Sequence, residues 1–66
     1  MSIKLTHRQL EVLRLLAMGA TNAQIAVSLN ITLRTVKYHT ASIYSKIGVH
    51  TRAEAIAWAW KNKIIK

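Results

Sequence analysis

Arg34, Lys37, Tyr38, Ala41 and Ser45 are spaced so that, on a helix, they fall at i, i+3, i+4, i+7 and i+11. That spacing makes one continuous stripe. The stripe holds two cations, a phenol, a hydroxyl and a small residue, and no acid. Such a face suits a polyanion with readable edges. Lys and Arg neutralise phosphates or donate to guanine, the tyrosine ring meets a thymine methyl or its O–H meets a phosphate, and a small residue allows close approach. Just upstream, Thr32, Arg34 and Thr35 bring hydroxyls, a cation and the free N–H groups of a helix start, which suit a phosphate. Thr21 and Asn22 are expected to do the same at the start of a preceding helix.

The elements that must position these side chains are marked by their caps. Thr6 with Gln9, Thr21 with Gln24 and Thr51 with Glu54 each have the spacing of a capping box, and Thr32 is a fourth N-cap without the return partner. Leu5 with Leu10, Ala20 with Ile25 and Ile31 with Val36 have the spacing of hydrophobic staples across the caps. Gly19, Asn30 and Gly48 fit left-handed stops. The resulting helices run over 7–18, 22–29, 33–47 and 52–62. Their apolar stripes are Val12, Leu13, Leu16 and Ala17, then Ile25, Ala26 and Leu29, then Val36, Thr40, Ile43 and Ile47, and last Ile56, Ala59 and Trp60. The expected fold is a single all-α domain of four short helices. The second and third are joined by Asn30-Ile31-Thr32, the helix-turn-helix arrangement whose second helix enters a major groove.

Composition narrows the function. In 66 residues, ten Lys and Arg face two acids, Glu11 and Glu54, for a net charge of +8. A small body so charged attracts polyanions. There is no cysteine, and His7, His39 and His50 are scattered, so neither a disulfide nor a zinc finger is expected. Two carboxylates on separate helices and no Gly-rich phosphate loop offer no catalytic set, so neither an enzyme nor a cofactor is expected. No aromatic platform points to RNA. The start of the chain has no signal-peptide core and no stretch is long enough to span a bilayer, so the expected location is cytoplasmic, at the nucleoid, without membrane attachment. His39, at the edge of the third stripe, is expected to be a partly buried structural histidine.

The order of residues resembles the LuxR-type DNA-binding domain of response regulators and quorum-sensing regulators. The resemblance is carried by Leu5-Thr6-His7-Arg8-Gln9-Leu10-Glu11-Val12-Leu13, Gly19-Ala20-Thr21-Asn22-Ala23-Gln24-Ile25-Ala26, Leu29-Asn30-Ile31-Thr32, Thr35-Val36-Lys37-Tyr38-His39, Lys46-Ile47-Gly48-Val49 and Thr51-Arg52-Ala53-Glu54-Ala55. It implies four helices with the third in the major groove, and binding as a homodimer to two-fold-related half-sites, often through the last helix. By position it implies that Lys37, Tyr38 and Ala41 face bases, and that Arg34, Thr35, Thr32, Thr21 and Lys46 contact phosphates. Position 9 is Gln where the family usually has Glu, which removes an ion pair and keeps the cap. Position 41 is Ala where relatives often carry Lys or another polar residue. The sensor domain that precedes this module in the family is absent from the sequence, which reads as an excised or free-standing domain.

Trp58 and Trp60 point about 200° apart on a helix. With Trp60 aligned on Ile56 and turned inward, Trp58 is expected outside, beside Ala55 and Glu54, as a two-fold contact of the last helix on itself. Lys61, Lys63 and Lys66 read as a frayed basic terminus. The leading expectation is therefore a sequence-specific regulator bound to double-stranded DNA, with RNA polymerase or another regulator as a further partner. The alternative is an interaction protein that binds another regulator and alters its dimerisation. A third reading, in which 55–66 lies on a membrane surface, is disfavoured by the capped globular pattern upstream.

Overall fold

The computed structural model describes residues 4–65. Residues 1–3 and Lys66 lie outside them, and with them the leader reading and the last lysine of the basic tail. The described regular elements are α1 (His7–Ala17), α2 (Asn22–Leu29), α3 (Leu33–Ile47) and α4 (Arg52–Lys61). All four expected helices are present, and α1 and α4 each end one residue earlier than their caps suggest.

Each helix starts as its cap dictates. Thr6, Thr21, Thr32 and Thr51 are extended, and each side-chain oxygen accepts the backbone N–H three residues on. In α1, α2 and α4 the Gln or Glu at that third position reaches back to the N–H of the cap. In α3 the third position is Thr35, whose Oγ1 lies 2.8 Å from Thr32 Oγ1.

The helices also stop alike. Gly19 (φ 99°), Asn30 (φ 56°), Gly48 (φ 74°) and Lys63 (φ 58°) occupy the left-handed region. The residue after each donates its N–H five positions back: Ala20 to Leu15, Ile31 to Ala26, Val49 to Tyr44 and Ile64 to Ala59. This is the Schellman pattern with its apolar closing residue, and Ala20, Ile31, Val49 and Ile64 all pack on the core. The fourth stop corrects the expectation of a frayed end. Lys63 takes the turn and Ile64 and Ile65 fold back onto the core.

α1 lies at the centre, against α3 and α4, and α2 packs against α3. Leu13, Leu16, Ile25, Ile43, Val12 and Val36 are the largest fully buried side chains. Thr40 is buried too, and its hydroxyl donates to the Lys37 carbonyl at 3.0 Å. The stripes of α1 and α3 are buried as expected, and in α2 Ile25 and Ala26 are buried with Leu29 half-buried against the core.

The stripe of α4 keeps Ala59 and part of Ile56 from the one expected and exchanges Trp60 for Ala55. Ala55 and Ala59 are completely buried, Trp58 and Ile56 pack at the margins of the core, and Trp60 is 55% exposed. Hydropathy favoured Ile56 and Trp60, but the central helix approaches α4 closely through its two alanines. Their direction puts Trp58 on one flank and turns Trp60 about 100° away from Ala59. The expected pairing of Trp58 and Ala55 as an outward contact is therefore corrected: Ala55 is inside and Trp60, not Trp58, is the outward tryptophan. Glu54 is exposed, and its carboxylate is engaged in the cap of its own helix.

Candidate nucleic-acid interface

The helix-turn-helix pair is α2 and α3, joined by Asn30, Ile31 and Thr32. Its geometry is fixed locally at both sides of the turn. Asn30 ends α2 in the left-handed conformation with its N–H on the Val27 carbonyl, Ile31 closes the turn onto Ala26, and Thr32 opens α3. Asparagine tolerates this backbone because its short polar side chain is at home there.

α3 has 15 residues, so it is about 22 Å long at 1.5 Å per residue. Val36, Thr40, Ile43 and Ile47 hold its inner face down. Arg34, Lys37, Tyr38, Ala41 and Ser45 are all exposed, Tyr38 at 71%. The expected stripe is thus assembled, without a carboxylate in it. Tyr38 and His39 rings sit with centroids 5.9 Å apart and tilted by 60°, so the Tyr38 ring leans on its neighbour. His39 is half-buried, in keeping with a structural role.

The flanking positions divide. Thr21 and Thr32 are exposed at the starts of α2 and α3, and Thr35 is half-buried beside them. Asn22 is half-buried, and its Oδ1 accepts from Arg52 Nη1 at 3.5 Å. Lys46 is exposed on the flank of α3, where its Nζ donates to Gln9 Oε1 at 2.9 Å. Thr21 and Thr32 thus lie at the surface at the starts of α2 and α3, and Lys46 is exposed in the last turn of α3.

Two residues that hold this arrangement carried no sequence signal for it. Gln9 is legible as a cap, but it is also buried and bonded to α3 through Ser42 Oγ, at 3.0 Å, as well as through Lys46. Arg52 donates to the Ala20 carbonyl in addition to Asn22, tying the first turn of α4 to the start of α2. Both ties span about thirty residues or more and no local pattern announces them.

Neither acid belongs to the α3 stripe. Glu11 pairs with Arg8 at 3.5 Å and approaches His7 at 3.9 Å. Glu54 accepts the backbone N–H of His50 at 2.9 Å and that of Thr51 at 3.1 Å. The His50 N–H is the larger reason why its carboxyl titrates below the ordinary 4.5. Among the described residues no group of three His, Cys, Asp or Glu could hold a metal, and no helix is long and apolar enough to cross a membrane.

The chain resembles known regulators over nearly its whole length. It is 40% identical over 62 residues to the response regulator protein VraR of Staphylococcus aureus, covering 94% of this chain and 30% of the relative. The same values hold for VraR of Staphylococcus epidermidis. Its fold superposes on the LuxR-type receptor VqmA of Vibrio cholerae, solved as a dimer without target DNA, with a TM-score of 0.91, 33% identity, and 96% and 28% of the two chains covered. It superposes on the response regulator ChrA of a heme-sensing two-component system with a TM-score of 0.88, 40% identity, and 98% and 32% covered. The chain thus spans about a third of these proteins. The profile described as "Bacterial regulatory proteins, luxR family" matches residues 4–59. Since that match takes in both helices of the pair, both of their caps and the turn between them, the chain belongs to the luxR family of bacterial regulatory proteins.

Proposed function

We propose that the domain is the DNA-reading part of a transcription regulator, with α3 in the major groove of a duplex. The observation that carries this is the exposed, acid-free stripe of α3 held outward by a fully buried inner face. In this reading Lys37, Tyr38 and Ala41 meet base edges, while Thr21, Asn22, Thr32, Arg34, Thr35 and Lys46 meet phosphates. Phosphate contacts position the helix and base contacts give it sequence preference. Ala41 supplies approach rather than a hydrogen bond, so discrimination at the centre of the stripe falls to Lys37 and Tyr38.

The domain works as a pair on DNA. Ala53, Ala57 and Trp60 are exposed and lie at i, i+4 and i+7 on α4, an apolar stripe on the side opposite the one packed on α1. A small-residue strip with one large aromatic suits a two-fold helix contact. The same stripe supports the second reading, in which α4 captures the corresponding helix of another regulator.

Selection from a random duplex pool at roughly 0.15 M salt, where surface charge effects are moderated, tests both readings. A two-fold-symmetric motif is the expected result. Retention without any enriched motif would leave charge-driven attachment alone, and capture of another regulator would then become the leading function.

A further inference from the structure

Gln9 stands where one side chain makes three bonds, one to the cap of its own helix and two to α3. Its Oε1 accepts the Thr6 N–H at 2.9 Å and Lys46 Nζ at 2.9 Å, and its Nε2 donates to Ser42 Oγ at 3.0 Å. The residue is 6% exposed, whereas Lys46 is exposed. The first of these bonds belongs to the cap of α1. The other two fix the flank of α3, where Ser42 and Lys46 follow one another at i and i+4.

The chemistry of the anchor matters because it is neutral. Both acidic side chains of the protein are engaged elsewhere, Glu11 with Arg8 and Glu54 in its own cap. The ion pairs among the described residues are those of Glu11 alone. Lys46 is thus oriented by an amide and paired with no carboxylate among the described residues. An ammonium has three donors, and the amide takes one, which leaves two directed to solvent. A carboxylate at the same place would accept the same N–H groups, and the Ser42 hydroxyl can turn to donate to it. Geometry would be preserved and the charge of Lys46 cancelled.

We propose that Gln9 is a positioning residue for DNA binding, which aims the Lys46 ammonium at a backbone phosphate while leaving its charge uncompensated. The proposal rests on the DNA-binding reading above. Gln9 touches no nucleic acid itself. It sets how many counterions the domain releases from the duplex, and so sets affinity and salt sensitivity together.

The test is a salt titration of binding to a short mixed-sequence duplex, followed by fluorescence anisotropy, for the unaltered domain, Gln9→Glu and Lys46→Gln. Each released counterion contributes about 0.9 to the log–log slope. Gln9→Glu should therefore flatten the slope by about 0.9 per bound domain and weaken binding about eightfold at 0.1 M salt, with helix content unchanged. Lys46→Gln should do the same. A purely structural role would alter melting and leave the slope in place. An unchanged slope in Gln9→Glu overturns the proposal while DNA binding stands. Failure of the unaltered domain to bind the duplex removes the DNA-binding reading and this proposal with it.

Discussion

α3 and α4 rest on the same small core and turn unlike faces outward. The exposed side of α3 carries Arg34, Lys37, Tyr38, Ala41 and Ser45, and that of α4 carries Ala53, Ala57 and Trp60. Their inner faces differ in the opposite sense. α3 is held by branched side chains, Val36, Ile43 and Ile47, and α4 by Ala55 and Ala59. A helix anchored by large residues stands off from its neighbour and can spend its outer face on charge. A helix anchored by alanines lies close, and its larger apolar residues are pushed to the flanks and the outside. The contrast separates a surface suited to phosphates from one suited to another protein.

The strongest way to break the contrast is from beneath. Ile43 is fully buried on the inner face of α3, and Ile43→Ala should cost about 2–5 kcal/mol through lost burial and the cavity left behind. In a domain of this size, thermal melting followed by circular dichroism should show a large drop in Tm, with DNA binding lost alongside. Next comes the outer face of α3 alone. Lys37→Ala should cost about 1–3 kcal/mol of binding and relax the selected motif at the position Lys37 reads, with melting unchanged. A motif left intact by this substitution would remove Lys37 from the base-reading set.

Within α4 the two tryptophans should behave differently. Trp58→Ala should destabilise the fold by about 2 kcal/mol, less than full burial of an aromatic would imply. Trp60→Ala should change stability by less than about 0.5 kcal/mol and lower the cooperativity of binding to a duplex with two half-sites. Cooperativity that survives Trp60→Ala would take α4 out of the pairing of domains.

The smallest effect concerns the cap of α4. The Glu54 carboxyl titrates below its ordinary value because backbone N–H groups bond its charged form. A depressed folded-state value gives stability that is present above the ordinary value near 4.5 and is lost as pH falls through the lower, folded one. Glu54→Gln keeps a reaching acceptor but cannot titrate, so the melting temperature of this variant should fall less than that of the unaltered domain as pH is lowered through that range.

The parts of the fold that were legible in the sequence are those whose cause is local. The four threonine caps and the left-handed stops at Gly19, Asn30 and Gly48 act within about five residues, so the order of residue types states them. The stripes of α1 and α3 were legible because large apolar residues recur at helical spacing. α4 was legible in part: Ala59 lies inside as its spacing from Ile56 implies, but alanine is a weak hydropathy signal, so Ala55 was placed outside and the larger Trp60 inside. The stop at Lys63 was illegible for a related reason: a lysine accepts a left-handed backbone here because Ile64 and Ile65 gain contact with the core. At the site, the α3 stripe could be read from spacing. The ties from Gln9 to Lys46 and from Arg52 to Ala20 could not, because both partners become neighbours only after folding.

Ala20 and Ile31 each close one helix and stand immediately before the threonine that opens the next. The joints of the molecule are therefore written in residues that never face a ligand, and the inner stripes complete the instructions for folding. The outward positions of α3 are left with almost no folding duty. Such a division lets descendants of one domain diverge in the duplex they select by exchanging a few exposed side chains, while inheriting the same scaffold unchanged.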